Sequence, residues 1–218
     1  MEKRMLGKRA GLRICVISAF LLIVTQVHGQ ASSTPDVSRH LNLMGFTLEK
    51  NTLADVESKL GPSTRGSCSQ EVEASKMICY VSAGTSKTRI FFESGSSGGW
   101  ARLDGFRVES ENVTPNCRLQ CKSTTAFGGD IQTSGGMKLG LTKAELIALL
   151  GPPRKVSGNR LTFEWWSKRP MTKAETEKET QTFKAPVTSP YWDVQDRVEV
   201  TLNDSKVSEF EVHHTVTY

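Results

Sequence analysis

The sequence predicts an α+β fold of two repeats, each a helical segment packed on one face of an antiparallel sheet. Two observations lead there: a helix signature that occurs twice, and β-like runs after each occurrence whose side chains alternate between apolar and charged. The first signature, residues 48–62, reads LEKNTLADVESKLGP, and the second, residues 139–152, reads LGLTKAELIALLGP. Aligned backward from the Gly-Pro pair, Thr52 matches Thr142, Asp55 matches Glu145, Val56 matches Leu146, Leu60 matches Leu150 and Gly61 matches Gly151, all 90 positions apart. Self-similarity at one fixed offset marks a duplicated structural unit.

Each signature is a complete short helix in chemical terms. Thr52 and Thr142 can accept from exposed N–H groups of the first turn, and Asp55 and Glu145, three residues on, can complete a capping box. Leu53, Val56 and Leu60 share one face, as do Leu146, Leu149 and Leu150. Gly61 and Gly151 supply the left-handed terminating residue, and Pro62 and Pro152 prevent continuation. Helices this short are marginal alone in water, so their apolar stripes need something to pack on.

That support reads as strands over 76–82, 88–93 and 103–109 in the first copy and 161–166, 193–202 and 206–217 in the second, all rich in β-branched and aromatic residues. Val194, Val198, Val200 and Leu202 fall opposite Arg197, Glu199 and Thr201; Phe210, Val212 and Val216 fall opposite Glu209, Glu211 and His213. Asp196 and His214 land on the apolar side and Val207 off it, which predicts a bulge or a strand end nearby. A sheet with one apolar and one charged face is antiparallel and covered by helices on one side only. Residues 116–136 read as the connection, giving units 30–126 and 127–218. Within the second, residues 167–189 form a polar insertion read as a mobile hairpin or loop.

The charge balance excludes one class of partner. The chain has 218 residues and a net charge of +5. Lys3, Arg4, Lys8, Arg9 and Arg13 all precede an uncharged apolar block at 14–24, and small-residue sites follow near Gly29 and Ala31. Basic, apolar and cleavable regions in that order predict a signal peptide over 1–29, and hence an exported chain, periplasmic or extracellular. The apolar block is too short for a bilayer span, so no stable membrane insertion is expected once the signal is removed. Without residues 2–13 the chain is nearly neutral, so no nucleic-acid footprint is expected.

Removal of Cys15 leaves Cys68, Cys79, Cys117 and Cys121, an even set that in an exported chain reads as two disulfides. Three pairings are possible. The local one, Cys68 with Cys79 and Cys117 with Cys121, is the expectation.

A helix opening with Leu-Gly-Leu-Thr-Lys-Ala-Glu from Leu139 and closing with Leu-Leu-Gly-Pro-Pro at Pro153, followed by meandering strands, resembles the superfamily of the beta-lactamase inhibitor protein and the SmpA/OmlA (BamE) outer-membrane assembly lipoproteins. The tandem arrangement and the cysteine pair of the first copy look more like the inhibitor protein, in which two copies form a concave sheet that grips a partner. The resemblance implies a binding fold; it transfers no contact residue, because the second copy lacks its own cysteine pair and carries the insertion.

Chemistry of catalysis is not visible. The chain has no H-E-x-x-H, Walker or S-x-x-K sequence. His213 and His214 are adjacent on a strand and point to opposite faces, which suits neither shared metal ligation nor a relay. Neither a catalytic residue, a metal nor a cofactor is expected. The aromatics carry the functional reading. Phe163 shares a face with Trp165, which makes Trp165 the core member and Trp166, beside Glu164, the exposed one. Tyr191 and Trp192 repeat this beside the insertion, and Trp100 follows the glycine-rich run 94–99. Exposed aromatics with Arg197 nearby have the composition of protein-binding hot spots. The expected function is a non-enzymatic exported module that binds a protein partner through an open sheet face, inhibiting or neutralising it; the alternative is an envelope or cell-surface assembly factor of the SmpA/OmlA kind.

Overall fold

The computed structural model describes residues 36–67, 76–84, 87–95, 101–111 and 119–217. The expected signal peptide, Cys68, Cys117, Trp100 and most of the glycine-rich run lie outside the described residues.

The chain enters through a 3-10 turn, Val37–Leu41, capped by the Asp36 side chain. A tight hairpin follows, β1 (Asn42–Leu43) and β2 (Phe46–Thr47), reversed at Met44 and Gly45, both at positive φ. Helix α1 (Leu53–Leu60) begins at Thr52, whose hydroxyl accepts from the Asp55 N–H while the Asp55 carboxylate accepts from the Thr52 N–H. Next come β3 (Arg65–Gly66), β4 (Lys76–Ser82), β5 (Thr88–Ser94), β6 (Gly105–Ser110) and β7 (Lys122–Thr124). Helix α2 (Lys143–Leu150) repeats the capping box with Thr142 and Glu145. The remainder is β8 (Lys155–Ser157), β9 (Arg160–Pro170), α3 (Lys173–Phe183), β10 (Tyr191–Asn203) and β11 (Lys206–Thr217).

The expected α+β class with two helix-on-sheet repeats is corrected by the sheet. Nine strands join in one sheet, in the order β3-β4-β5-β6-β11-β10-β9-β8, with β7 lying parallel to β4 on the edge that β3 leaves free. Strand dominates, and the helices are few and short. The physical reason is the β6–β11 pairing, which sets Phe106 against Val212 and Val108 against Phe210. Three strands and one eight-residue helix would bury little surface and expose a long edge; zipping the two edges removes that liability.

Register then builds one core. Ile78, Phe92, Phe106, Val212, Val198 and Phe163 line up across six successive strands, and Tyr80, Ile90, Val108, Phe210, Val200 and Leu161 form the neighbouring row. All twelve are buried. Leu53, Val56 and Leu60 of α1 and Leu146 and Leu150 of α2 cover these rows, but so do Leu43, Phe46, Leu48, Ile131 and Met137 from loops and the small hairpin. The Tyr80 hydroxyl donates to the Gly61 carbonyl at 2.6 Å, tying the end of α1 to β4.

Three local expectations are also revised. The insertion 167–189 is not a plain loop: β9 runs on to Pro170 and Thr172 with Glu175 caps α3. Cys79 pairs with Cys121, not with Cys68, so the expected local pairing fails. The cause is β7, whose Lys122 sits opposite Tyr80 and so brings the preceding residue, Cys121, beside Cys79. Finally, the pattern break in the last two strands has two causes. The register slips between Thr201 and Leu202, which returns Val207 to the core. Asp196 and His214 need no bulge, because they stand opposite one another and form an ion pair.

Candidate partner-binding face

Alternation along β9 and β10 decides which side chains leave the core. Phe163 and Trp165 stay on the core side, with parallel stacked rings 6.3 Å apart. Glu164, Trp166 and Lys168 therefore share the opposite face with Tyr191, Asp193, Gln195 and Arg197. Register sets Glu164 against Arg197, Trp166 against Gln195 and Lys168 against Asp193. Trp166 is 59% exposed and Tyr191 is exposed at the far end of the strand pair. Trp192, one residue on, falls to the other side, opposite Arg169. Of the six residues expected to contact a partner, the structure brings Trp166, Glu164, Arg197 and Tyr191 onto one face, places Trp192 on the other, and leaves Trp100 outside the described residues.

A depression of about 530 Å³ adjoins this patch, and charged side chains from β8, β9, β10 and the approach to β8 line it. Arg154 reaches Glu164 at 3.1 Å, Arg160 reaches Glu199 at 3.4 Å, and Arg197 contacts Glu164 at 4.0 Å and Glu199 more closely. With Lys155 the lining carries four cations against two carboxylates. In the sequence Arg154 and Lys155 stand apart from Arg160 and Arg197. The three-residue strand β8, too short to show a pattern, is what carries them to Arg160 and Arg197.

Toward the middle of the sheet the same face becomes less accessible. Met77, Cys79 and Phe91 form a small second cluster with Leu119 and Cys121 packed on it. Arg107 sets its guanidinium 4.2 Å from the Phe91 ring centre and its Nε 3.6 Å from Glu109, which also takes Arg89 at 2.7 Å. Glu109 and Glu209 face each other across β6 and β11, and burial pushes both carboxyls above their ordinary range. Beside them Glu211 and His213 meet at 2.8 Å. Burial acts against the charge on each, but the hydrogen bond and mutual attraction outweigh it, so His213 is raised and Glu211 lowered.

His214 points to the core side, as adjacency requires. Its Nδ1 lies 2.5 Å from Asp196 and its Nε2 3.1 Å from Glu49. Burial opposes the charged ring, yet the two carboxylates raise it to about 9. His214 is thus a partly buried imidazolium clamping β10, β11 and the loop before α1. Arg169 of β9 holds Glu175 of α3 with two hydrogen bonds and, together with the Thr172 N–H, draws that carboxyl down to about 2.

The arginines of the β8–β10 face are paired with its carboxylates, and what it offers is shape, aromatic area and a locally basic trough. Comparison with family models, curated proteins and solved structures finds no match. No helix among the described residues is long and apolar enough to cross a membrane.

Proposed function

We propose that the protein is an exported, non-enzymatic module that binds a protein partner through the β9–β10 face, with inhibition or neutralisation of that partner as the outcome. The observation that carries this reading is Trp166, a large aromatic standing 59% exposed beside the Glu164–Arg197 pair. Exposing an indole to water has a free-energy cost of about 2 kcal/mol relative to burying it, and a partner that covers it recovers that amount. The neighbouring Arg197 and Tyr191 supply the other side chains that dominate binding energetics at interfaces. The disulfide suits an oxidising compartment outside the cytosol.

The reading as an envelope assembly factor of SmpA/OmlA type rests on the Leu-Gly-Pro helix ends shared with that resemblance, and it predicts a different partner. Affinity capture from the exported fraction with the native chain and with Trp166→Ala distinguishes the two. A single enzyme retained by the native chain and lost by the variant supports inhibition; membrane-assembly proteins support scaffolding. A partner set identical for both chains removes the β9–β10 face from the account.

A further inference from the structure

We propose that Glu93, Glu211 and His213 form a binding site for a divalent transition-metal ion of the zinc class. The proposal is independent of the partner-binding reading. The three residues come from β5 and β11, two strands that do not pair with each other, because β6 runs between them. At the level of the site β6 contributes only Gly105, which stands opposite Glu93 on one side and His213 on the other. A methyl group there would lie 2.8 Å from His213 Nδ1 and 3.2 Å from its Cε1, with the Val212 carbonyl oxygen at 3.3 Å. The imidazole thus lies over bare backbone, and the missing side chain is what lets a histidine on β11 approach a carboxylate on β5. Glu211, two residues before His213 and on the same face, places its Oε1 2.8 Å from His213 Nε2. One donor atom from each residue lies within 4.8 Å of the other two. Around an ion bound at about 2.1 Å, tetrahedral ligand atoms stand roughly 3.4 Å apart, so side-chain rotations of about an ångström close the set.

The donor chemistry selects the ion. One imidazole nitrogen with two carboxylates suits zinc, cobalt, manganese or iron, whereas calcium and magnesium prefer oxygen alone. Three protein ligands leave a position for water or for a donor brought by another molecule. The electrostatics agree with the geometry. His213 faces Glu211, Glu93 and Asp104, all acidic, while Arg107, which acts on Glu211, also contacts Phe91 and Glu109. An imidazole binds a metal ion through a nitrogen that carries no proton, so affinity must rise with pH.

Calorimetric titration of the untagged full chain with zinc chloride tests this. The expected result is one ion per chain, bound more tightly at pH 8 than at pH 6, with proton release. His213→Ala and Glu93→Gln should each weaken binding by about a hundredfold, at least the upper end of what outer-shell changes cost. Glu209→Gln, a carboxylate on the same face outside the set, should bind like the native chain. Circular dichroism establishes that each variant folds, and the shift of the His213 ring resonances on zinc addition reads the site in the native chain without any substitution. Absence of saturable binding, binding unchanged in both ligand variants, or His213 resonances that do not move overturns the proposal.

Discussion

His214 shows how one side chain can reverse its reading between sequence and structure. In the sequence it interrupts an apolar face, and Asp196, eighteen residues earlier, interrupts another. Opposed across β10 and β11 they cancel, with Glu49 closing the other side of the ring. The value of about 9 lies above the ordinary 6.5, so the clamp stabilises the fold fully below about pH 6.5 and is lost as pH rises through 9. Urea midpoints of the native chain should therefore fall over that window, and the difference from His214→Gln should shrink as they do; a difference constant with pH contradicts the assignment. Asp196→Asn should cost about 2 kcal/mol at neutral pH, the scale of a hydrogen bond to a charged group. The consecutive tryptophans give a second test at this scale. Trp165→Ala, which removes a ring stacked on Phe163, should cost about 3 kcal/mol, whereas exposed Trp166→Ala should stay within about 0.5 kcal/mol in thermal unfolding.

At the scale of elements, what is coded locally was readable. The capped turns at Thr52 and Thr142 and the bounds of β4 and β11 follow from neighbours a few residues away. Thr52→Ala and Thr142→Ala should each cost about 1 kcal/mol by denaturant titration. The helix stops are more specialised than a left-handed cap. Gly61 and Gly151 hold φ of 89° and 81° with ψ of 162° and −171°, an extended positive-φ conformation that is almost restricted to glycine. Gly61 has open space around a would-be Cβ, so the loss on Gly61→Ala, about 1–3 kcal/mol, is backbone strain alone. Elements that depend on distant partners were not readable. Strands β7 and β8 have three residues each, and their roles, presenting Cys121 to Cys79 and Arg154 and Lys155 to Arg197, exist only in the register. Peptide mapping without reduction should recover Cys79 joined to Cys121; a Cys68–Cys79 peptide contradicts the structure.

At the scale of the whole molecule, the pairing of β6 with β11 decides most of what the sequence left open. It turns two expected units into one sheet with one core, brings Glu93 within reach of His213, and leaves the β9–β10 end as the accessible part of the charged face. No local pattern announces which strand edges meet, because each edge is compatible with several partners. The candidate face was half legible for the same reason: alternation exposes Trp166 and separates Tyr191 from Trp192, but only register shows that Tyr191 is the one on the face and adds Arg154, Lys155 and Arg160. The account stands on that face being a protein-binding surface. Its most direct test is the dissociation constant of the captured partner for the native chain, for Trp166→Ala and for Phe183→Ala, the last an equally exposed aromatic on α3, off the sheet. A loss of about thirtyfold for Trp166→Ala, the scale of a hot-spot residue, with Phe183→Ala unchanged, is the predicted result. Equal affinity for the native chain and Trp166→Ala would contradict it.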